Sequence, residues 1–264
     1  MSIESYLCEL PKNGAVYLSP IPESIAPQWG EFQLRERAFW QHKITQTDYK
    51  PDPVSNFKPF LGHWQITPSF FKDKAVLEIG TGPFGFFAAI DMMDKESVPN
   101  ELALMDPLMD FYQQFDLFNY MPDNSIRLQA PGENIPFPDT LFDCIVTTNT
   151  IDHVADCDTF LQEVGRVLKE NGVLLFSVHT LASFARPLKP FIKQIDKNHP
   201  YHFNSEDVSA LFAKNGFSLK KIVSVPMFKE NFIPVDASIK QKAVYAVGFR
   251  LMNTLYGTAT LNKK

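Results

Sequence analysis

Within the ten residues from Val76 to Gly85, an apolar run ends in a set of groups suited to holding a ligand: Glu78, Gly80, Thr81, Gly82 and Gly85. Glycines spaced Gly80-x-Gly82-x-x-Gly85 let backbone approach a bound molecule closely and accept a positive φ. The same spacing satisfies a dinucleotide fingerprint, so the glycines alone leave a nicotinamide cofactor and other nucleotides open. Glu78 narrows the choice. A carboxylate beside the turn repels a pyrophosphate and favours a ligand with cationic groups, such as an ammonium and a sulfonium. Asp106 follows Gly82 by 24 residues and ends the next apolar run, close to where a ribose-binding acid sits in such folds. Asp106-Pro107 also reads as a plain turn.

These residues need strands to end beside one another. Short apolar runs predict strands at Ala75–Ile79, Leu102–Met105, Ser125–Leu128, Asp143–Thr147, Val173–Val178 and Leu219–Val225. Amphipathic spacing predicts a helix over Asp158–Lys169 stopped by Asn171-Gly172, and another from Ser205 as N-cap to Gly216. In the tail, Ile239, Ala243, Val247, Leu251 and Leu255 recur every four residues and predict a helix closing near Gly257, with a short final strand Thr258–Leu261. Alternating strands and helices imply an α/β domain over a parallel sheet.

Residues 1–70 differ in composition, holding eight of the 20 prolines and all three tryptophans, Trp29, Trp40 and Trp64. One helix is expected from Gly30 to Ile44, with extended chain around it. Phe39, Trp40, Tyr49 and Trp64 suit either a lid over a cleft or a core-forming extension. The organisation expected is an N-terminal extension over 1–70 and a ligand-binding domain over 71–264.

Composition excludes several function classes. A net charge of -5, with no Lys/Arg run longer than two, argues against a nucleic-acid binder. The odd cysteine count, Cys8, Cys144 and Cys157, fits a reducing, cytoplasmic setting, and no apolar run is long enough for a bilayer.

The order Glu78-x-Gly80-x-Gly82, Asp106, Gly132-Glu133-Asn134-Ile135-Pro136-Phe137-Pro138-Asp139, Phe142-Asp143 and Asn149 resembles the class I methyltransferases of the type 11 group over Val76 to about Leu219. The resemblance implies a Rossmann-like, doubly wound, seven-stranded sheet, mainly parallel with an antiparallel last strand. It implies S-adenosylmethionine as cofactor and a small-molecule or glycan- or lipid-linked acceptor. By position, the methionine part falls to Glu78, Gly80, Thr81, Gly82 and Gly85, the ribose to Asp106, the adenine to Gly132 and Glu133, and the underside of the methionine to Asn149. Where the family usually has an Asp two positions before the acid matching Glu133, this chain has Pro131, which leaves adenine to the Gly132 backbone or Glu133.

For the acceptor, His153 and His179 follow predicted strands, and His199 and His202 precede the Ser205 helix. His153 and His199 are the expected base or orienting groups; the His199/His202 pair lacks the carboxylate or Cys companions of a metal site, and none is expected. Two other readings use the same glycines. A nicotinamide-dependent oxidoreductase lacks a Tyr-x-x-x-Lys pair here, and a non-catalytic cofactor-binding protein has Pro131 as its hint.

Overall fold

A computed structural model of the chain describes residues 2–190, 192, 200–227 and 251–262. Its centre is a sheet in the order β1-β2-β5-β4-β3-β6-β7-β9-β8. The strands are β1 (Lys12–Asn13), β2 (Val16–Leu18), β3 (Ala75–Ile79), β4 (Glu101–Met105), β5 (Ile126–Gln129), β6 (Phe142–Thr148), β7 (Leu168–Leu181), β8 (Phe217–Pro226) and β9 (Met252–Leu261). From β2 to β7 all neighbours pair in parallel, whereas β9 runs antiparallel to both β7 and β8. The seven strands from β5 to β8 are the expected doubly wound sheet with its antiparallel last strand.

Two strands exceed the expected seven, and the first strand of the chain is therefore not Ala75–Ile79. Val16 and Tyr17, both buried, carry β2 onto β5, and β1 closes back on it. The pair covers backbone that would otherwise form a bare sheet edge. At two and three residues these strands are too short for alternation to reveal them.

Two helices come from the first 70 residues: α1 (Ala26–Ile44), close to expectation, and α2 (Pro53–Trp64), where extended chain was expected. Pro53 starts α2 at a position whose N–H needs no partner, and the Asp52 carboxylate accepts the Ser55 N–H at 3.0 Å as its cap. Pro53, which suggests a break, is thus compatible with a helix, and Pro59 stands inside it. Leu61 and Trp64 of α2 are buried with Phe71, Phe86 and Phe87 against one face of the sheet, and the Trp64 indole donates to the Phe176 carbonyl of β7 at 3.0 Å. α1 is different: none of residues 29–44 is fully buried.

The remaining helices are α3 (Gly85–Met93), α4 (Met109–Gln113), α5 (Cys157–Val167) and α6 (Ser205–Lys214). α5 stops before Lys169, and Asn171-Gly172 falls within β7 instead of ending the helix. The amides of Thr140 and Leu141 donate to the Arg166 and Val167 carbonyls, so the helix end is satisfied without a glycine. Asn204, not Ser205, is the N-cap of α6, in a reciprocal pair with Asp207.

In the tail, residues 239–250 of the expected helix lie outside the described residues. β9 is a ten-residue strand that includes Leu255 and Gly257, not a short one from Thr258. A side chain at Gly257 would strike the Phe176 ring, so this glycine serves sheet packing rather than helix termination.

Since Trp64 fills core space, Trp64→Ala is expected to cost about 3–5 kcal/mol in denaturant unfolding, and Leu34→Ala, on the outside of α1, less than about 0.5 kcal/mol. Equal losses would contradict the contrast between α2 and α1.

Candidate functional site

The turn after β3 lies at the centre of the sheet, between the ends of β4 and β6. Gly80 donates its N–H to the Met105 carbonyl at 2.8 Å and takes φ +74°, and a side chain on it would strike Thr150. Glu78 is fully buried: Oε1 accepts from the Phe86 N–H at 2.6 Å and Oε2 from the Phe87 N–H at 3.3 Å. It therefore ties the first turn of α3 to β3. Gly85 (φ +73°) makes this possible, because a Cβ there would come within 3.0 Å of the Glu78 carboxylate. Burial pushes Glu78 up to about 8, against the pull of the two amides, with the charge of Asp106 adding to the rise.

Two more acids serve the neighbouring loops. Asp106 follows β4, and its carboxylate accepts from the Gly82 N–H and the Leu108 N–H, both at 2.8 Å. Burial raises it to about 6, opposed by these two bonds, and the nearby Glu36 raises it further. Glu133 accepts from the Ala155 N–H at 2.6 Å and the Asp156 N–H at 3.2 Å, just before α5, and burial raises it too. Asn149, at φ +54° after β6, donates its N–H to the Ser177 carbonyl at 2.9 Å; its buried Oδ1 has no hydrogen-bond partner among the described residues.

Gly80, Thr81, Gly82, Asp106, Gly132, Glu133, Asn149 and His153 line one cleft of about 830 Å³ at the carboxyl ends of the strands. Glu78 and Gly85 are not in its lining; they stand behind it and fix the glycine turn. Gly132 has its own packing reason, since a Cβ there would lie 2.6 Å from the Phe160 ring. The opposite wall comes from the N-terminal helices. Trp29, Gln33, Glu36, Trp40 and Lys43 form one stripe of α1, and Phe57 and Phe60 of α2 continue it. Trp40 meets Tyr112 edge-on with ring centroids 6.2 Å apart.

Among the histidines, His153 lines the cleft with Nδ1 3.2 Å from the Glu36 carboxylate. His179 also lines it, with Nδ1 3.3 Å from the Thr254 hydroxyl. His202 is buried away from it, beside Lys189 and Asp207. His199 lies outside the described residues. Glu36 and Tyr112 were not among the expected site residues. For Glu36 the usable signal was its place on the 29, 33, 36, 40, 43 stripe, where a carboxylate interrupts aromatic residues.

Residues 54–222 match a family model described as a methyltransferase domain. A stretch of 72 residues is 36% identical to the ubiquinone/menaquinone biosynthesis C-methyltransferase UbiE of Hahella chejuensis and covers 27% of each chain. The match thus spans about a quarter of that curated relative. Among solved structures, the Haemonchus contortus phosphoethanolamine N-methyltransferase 2, in complex with phosphomonomethylethanolamine and S-adenosylhomocysteine, superposes with a TM-score of 0.57 at 15% identity, over 89% of this chain and 60% of that one. The YcgJ protein of Bacillus subtilis gives 0.52 at 20% identity, over 73% and 93%. At these identities the structures show a shared fold.

The buried acids set a pH dependence. Both Asp106, raised from 3.8 to about 6, and Glu78, raised from 4.5 to about 8, hold protons in the folded state that the unfolded chain releases. Their contribution to stability is therefore fully present below about pH 4 and is lost as pH rises through 6 and then 8. Among the pH dependences of melting, Glu78→Gln is expected to flatten the fall between pH 6 and 8 relative to wild type. A fall of unchanged slope in that variant would remove Glu78 as its source.

Proposed function

Starting from the chain's membership of the class I S-adenosylmethionine-dependent methyltransferase domain family, we propose that its cleft carries out methyl transfer to a small acceptor with an apolar face. The cofactor of this family is S-adenosylmethionine, and the chain is an enzyme of that kind. The observation that supports the placement best is the convergence of the glycine turn, Asp106 and Asn149 on one cleft whose far wall is aromatic.

The residues present fit the cofactor. The Asp106 carboxylate uses two of its roughly four acceptor positions on the Gly82 and Leu108 amides and keeps others for ribose hydroxyls. The partnerless Asn149 Oδ1 is an acceptor for the ammonium of the methionine part, next to the Gly80–Gly82 turn. Gly132 and Glu133 take the adenine side; Glu133 is committed to two amides, which leaves adenine recognition to the Gly132 backbone. When bound, S-adenosylmethionine supplies a methyl group on a positively charged sulfur, which keeps the bonding pair as the acceptor's lone pair takes the carbon.

The protein's part is to hold the acceptor in line, exclude water and take a proton where the acceptor has one to lose. His153 is the base in this reading, and the aromatic stripe of α1 with Phe57 and Phe60 orders an apolar acceptor and lowers the local polarity, which favours reaction of a charged donor to less charged products. UbiE methylates carbon in quinone biosynthesis by its name. An aromatic ring is the acceptor body that this wall fits best, ahead of a glycan.

α1 is the lid in this reading, and α2 is not. None of residues 29–44 of α1 is fully buried, so it can open at low cost, while α2 is part of the core. Among the described residues no helix is long and apolar enough to cross a membrane.

Asp106→Ala is expected to weaken S-adenosylhomocysteine binding by about 1–3 kcal/mol in calorimetry, since ribose hydroxyls lose a charged acceptor in a partly enclosed site. An unchanged dissociation constant removes Asp106 from the site. Hydrogen exchange in α1 is expected to slow when S-adenosylhomocysteine is added, with α2 indifferent. Equal slowing of both helices, or of neither, would count against a lid made by α1 alone.

A further inference from the structure

Of the three glycines in the turn after β3, two are closed off by the protein's own core and one is not. A Cβ on Gly80 would strike Thr150, and one on Gly85 would come within 3.0 Å of the Glu78 carboxylate. At Gly82, with φ +58°, such a Cβ would meet one described heavy atom within 4 Å beyond its chain neighbours: Cζ2 of Trp40, at 3.6 Å. That is an ordinary van der Waals contact, and it comes from α1, the helix with no fully buried side chain from residue 29 to 44.

The neighbours of Trp40 fix where its ring stands. It meets Tyr112 edge-on, Nζ of Lys43 lies 4.9 Å from its ring centroid, and it packs with Ile44 and Tyr49 on the cluster of Leu108, Phe111, Tyr112 and Leu117. The indole thus touches Gly82 at one end and packs on the Leu108 cluster at the other. The amides of those same two residues are the donors to the Asp106 carboxylate, which is only 6% exposed. Trp40 itself is partly buried and lines the cleft.

We propose that Trp40 is a cofactor-binding residue supplied by α1: its indole packs on the sugar of the bound donor at the corner made by Gly82 and Asp106, and the rest of the α1 stripe is left to the acceptor. This rests on the reading of the cleft as the S-adenosylmethionine site. A ribose carries hydroxyls on its rim and C–H groups on its faces. Asp106 suits the hydroxyls, and a flat apolar ring suits the faces. Excluding water at this corner also strengthens the hydrogen bonds made to Asp106, because they then act in a lower local dielectric. In this arrangement α1 closes on the donor itself, so occupancy by the cofactor seats the helix before any acceptor is present.

The test measures binding of S-adenosylhomocysteine and of methylthioadenosine to the full chain by calorimetry. The second compound keeps the sugar and the thioether and lacks the amino-acid part. Trp40→Ala is expected to weaken both roughly tenfold, a loss that about 55 Å² of ring buried on the sugar accounts for. Trp40→Phe keeps a smaller flat ring and is expected to lose about threefold, and it carries the same comparisons should the alanine variant fail to fold. Ile44→Ala separates contact from seating, since Ile44 packs α1 on the same cluster without lining the cleft. It is expected to lose clearly less than Trp40→Ala; an equal loss means that Trp40 only seats the helix, and overturns the proposal. Unchanged affinity in Trp40→Ala overturns it as well, and tighter affinity does so by showing that the indole occupies the sugar's place. A loss for S-adenosylhomocysteine with none for methylthioadenosine puts the ring on the amino-acid part and overturns the assignment to the sugar. Wild-type protein that binds neither compound sinks the reading of the cleft, whereas normal wild-type binding with a wrong response of the variants overturns the role of Trp40 alone.

Discussion

Buried carboxylates that accept backbone N–H groups hold the carboxyl edge of this sheet in shape. Glu78 ties β3 to α3, Asp106 ties β4 to the glycine turn and to the chain leading into α4, and Glu133 ties its own loop to the start of α5. In each case an acid in one loop satisfies amides that the start of a helix or a tight turn leaves without partners. Such amides are costly to bury unpaired, and an acid is costly to bury uncompensated, so each group makes the other tolerable. The cleft has its outline because these three ties fix the loops around it.

That economy changes the meaning of the glycine motif. Of its three glycines, the first gives way to Thr150 and the third to the Glu78 carboxylate, while Gly82 offers its amide to Asp106. The pattern is thus partly a packing signature of the protein with itself. Glu78, which reads in sequence as a charge facing the ligand, instead faces α3 from behind the cleft. Its carboxylate still shapes the cleft, through the turn it holds.

The central sheet was legible because its strands are buried on both faces and read as continuous apolar runs: Ala75–Ile79 matches its strand to the residue, and Leu102–Met105 falls one residue short. What escaped has particular causes. β1 and β2 are too short for periodicity, and α2 hides behind Pro53, which its own N-terminus uses, and Pro59, which it carries inside. The end of α5 is set by hydrogen bonds from residues 140 and 141, more than 20 positions earlier, which no local signal announces. Most of one wall of the cleft could be read from motif order, since Gly80, Gly82, Asp106, Gly132 and Asn149 do converge. The opposite wall could not, because it is assembled from α1 and the loop at His153, and only the tertiary fold brings Glu36 there.

The pairing of β2 with β5 and the seating of Trp64 on Phe176 bear on how the chain reaches this state. Val16 pairs with Arg127, and the Trp64 indole bonds a carbonyl 112 residues later. During synthesis these segments emerge more than a hundred residues before their partners in β5 and β7, so Trp64 can meet Phe86 early but must wait to dock on the sheet. Closing loops of that length is slow relative to local contacts. A segment made so long before its partners is therefore among the last to settle, and the interval before it docks on the sheet is when the nascent chain is most open to aggregation or to capture by a chaperone.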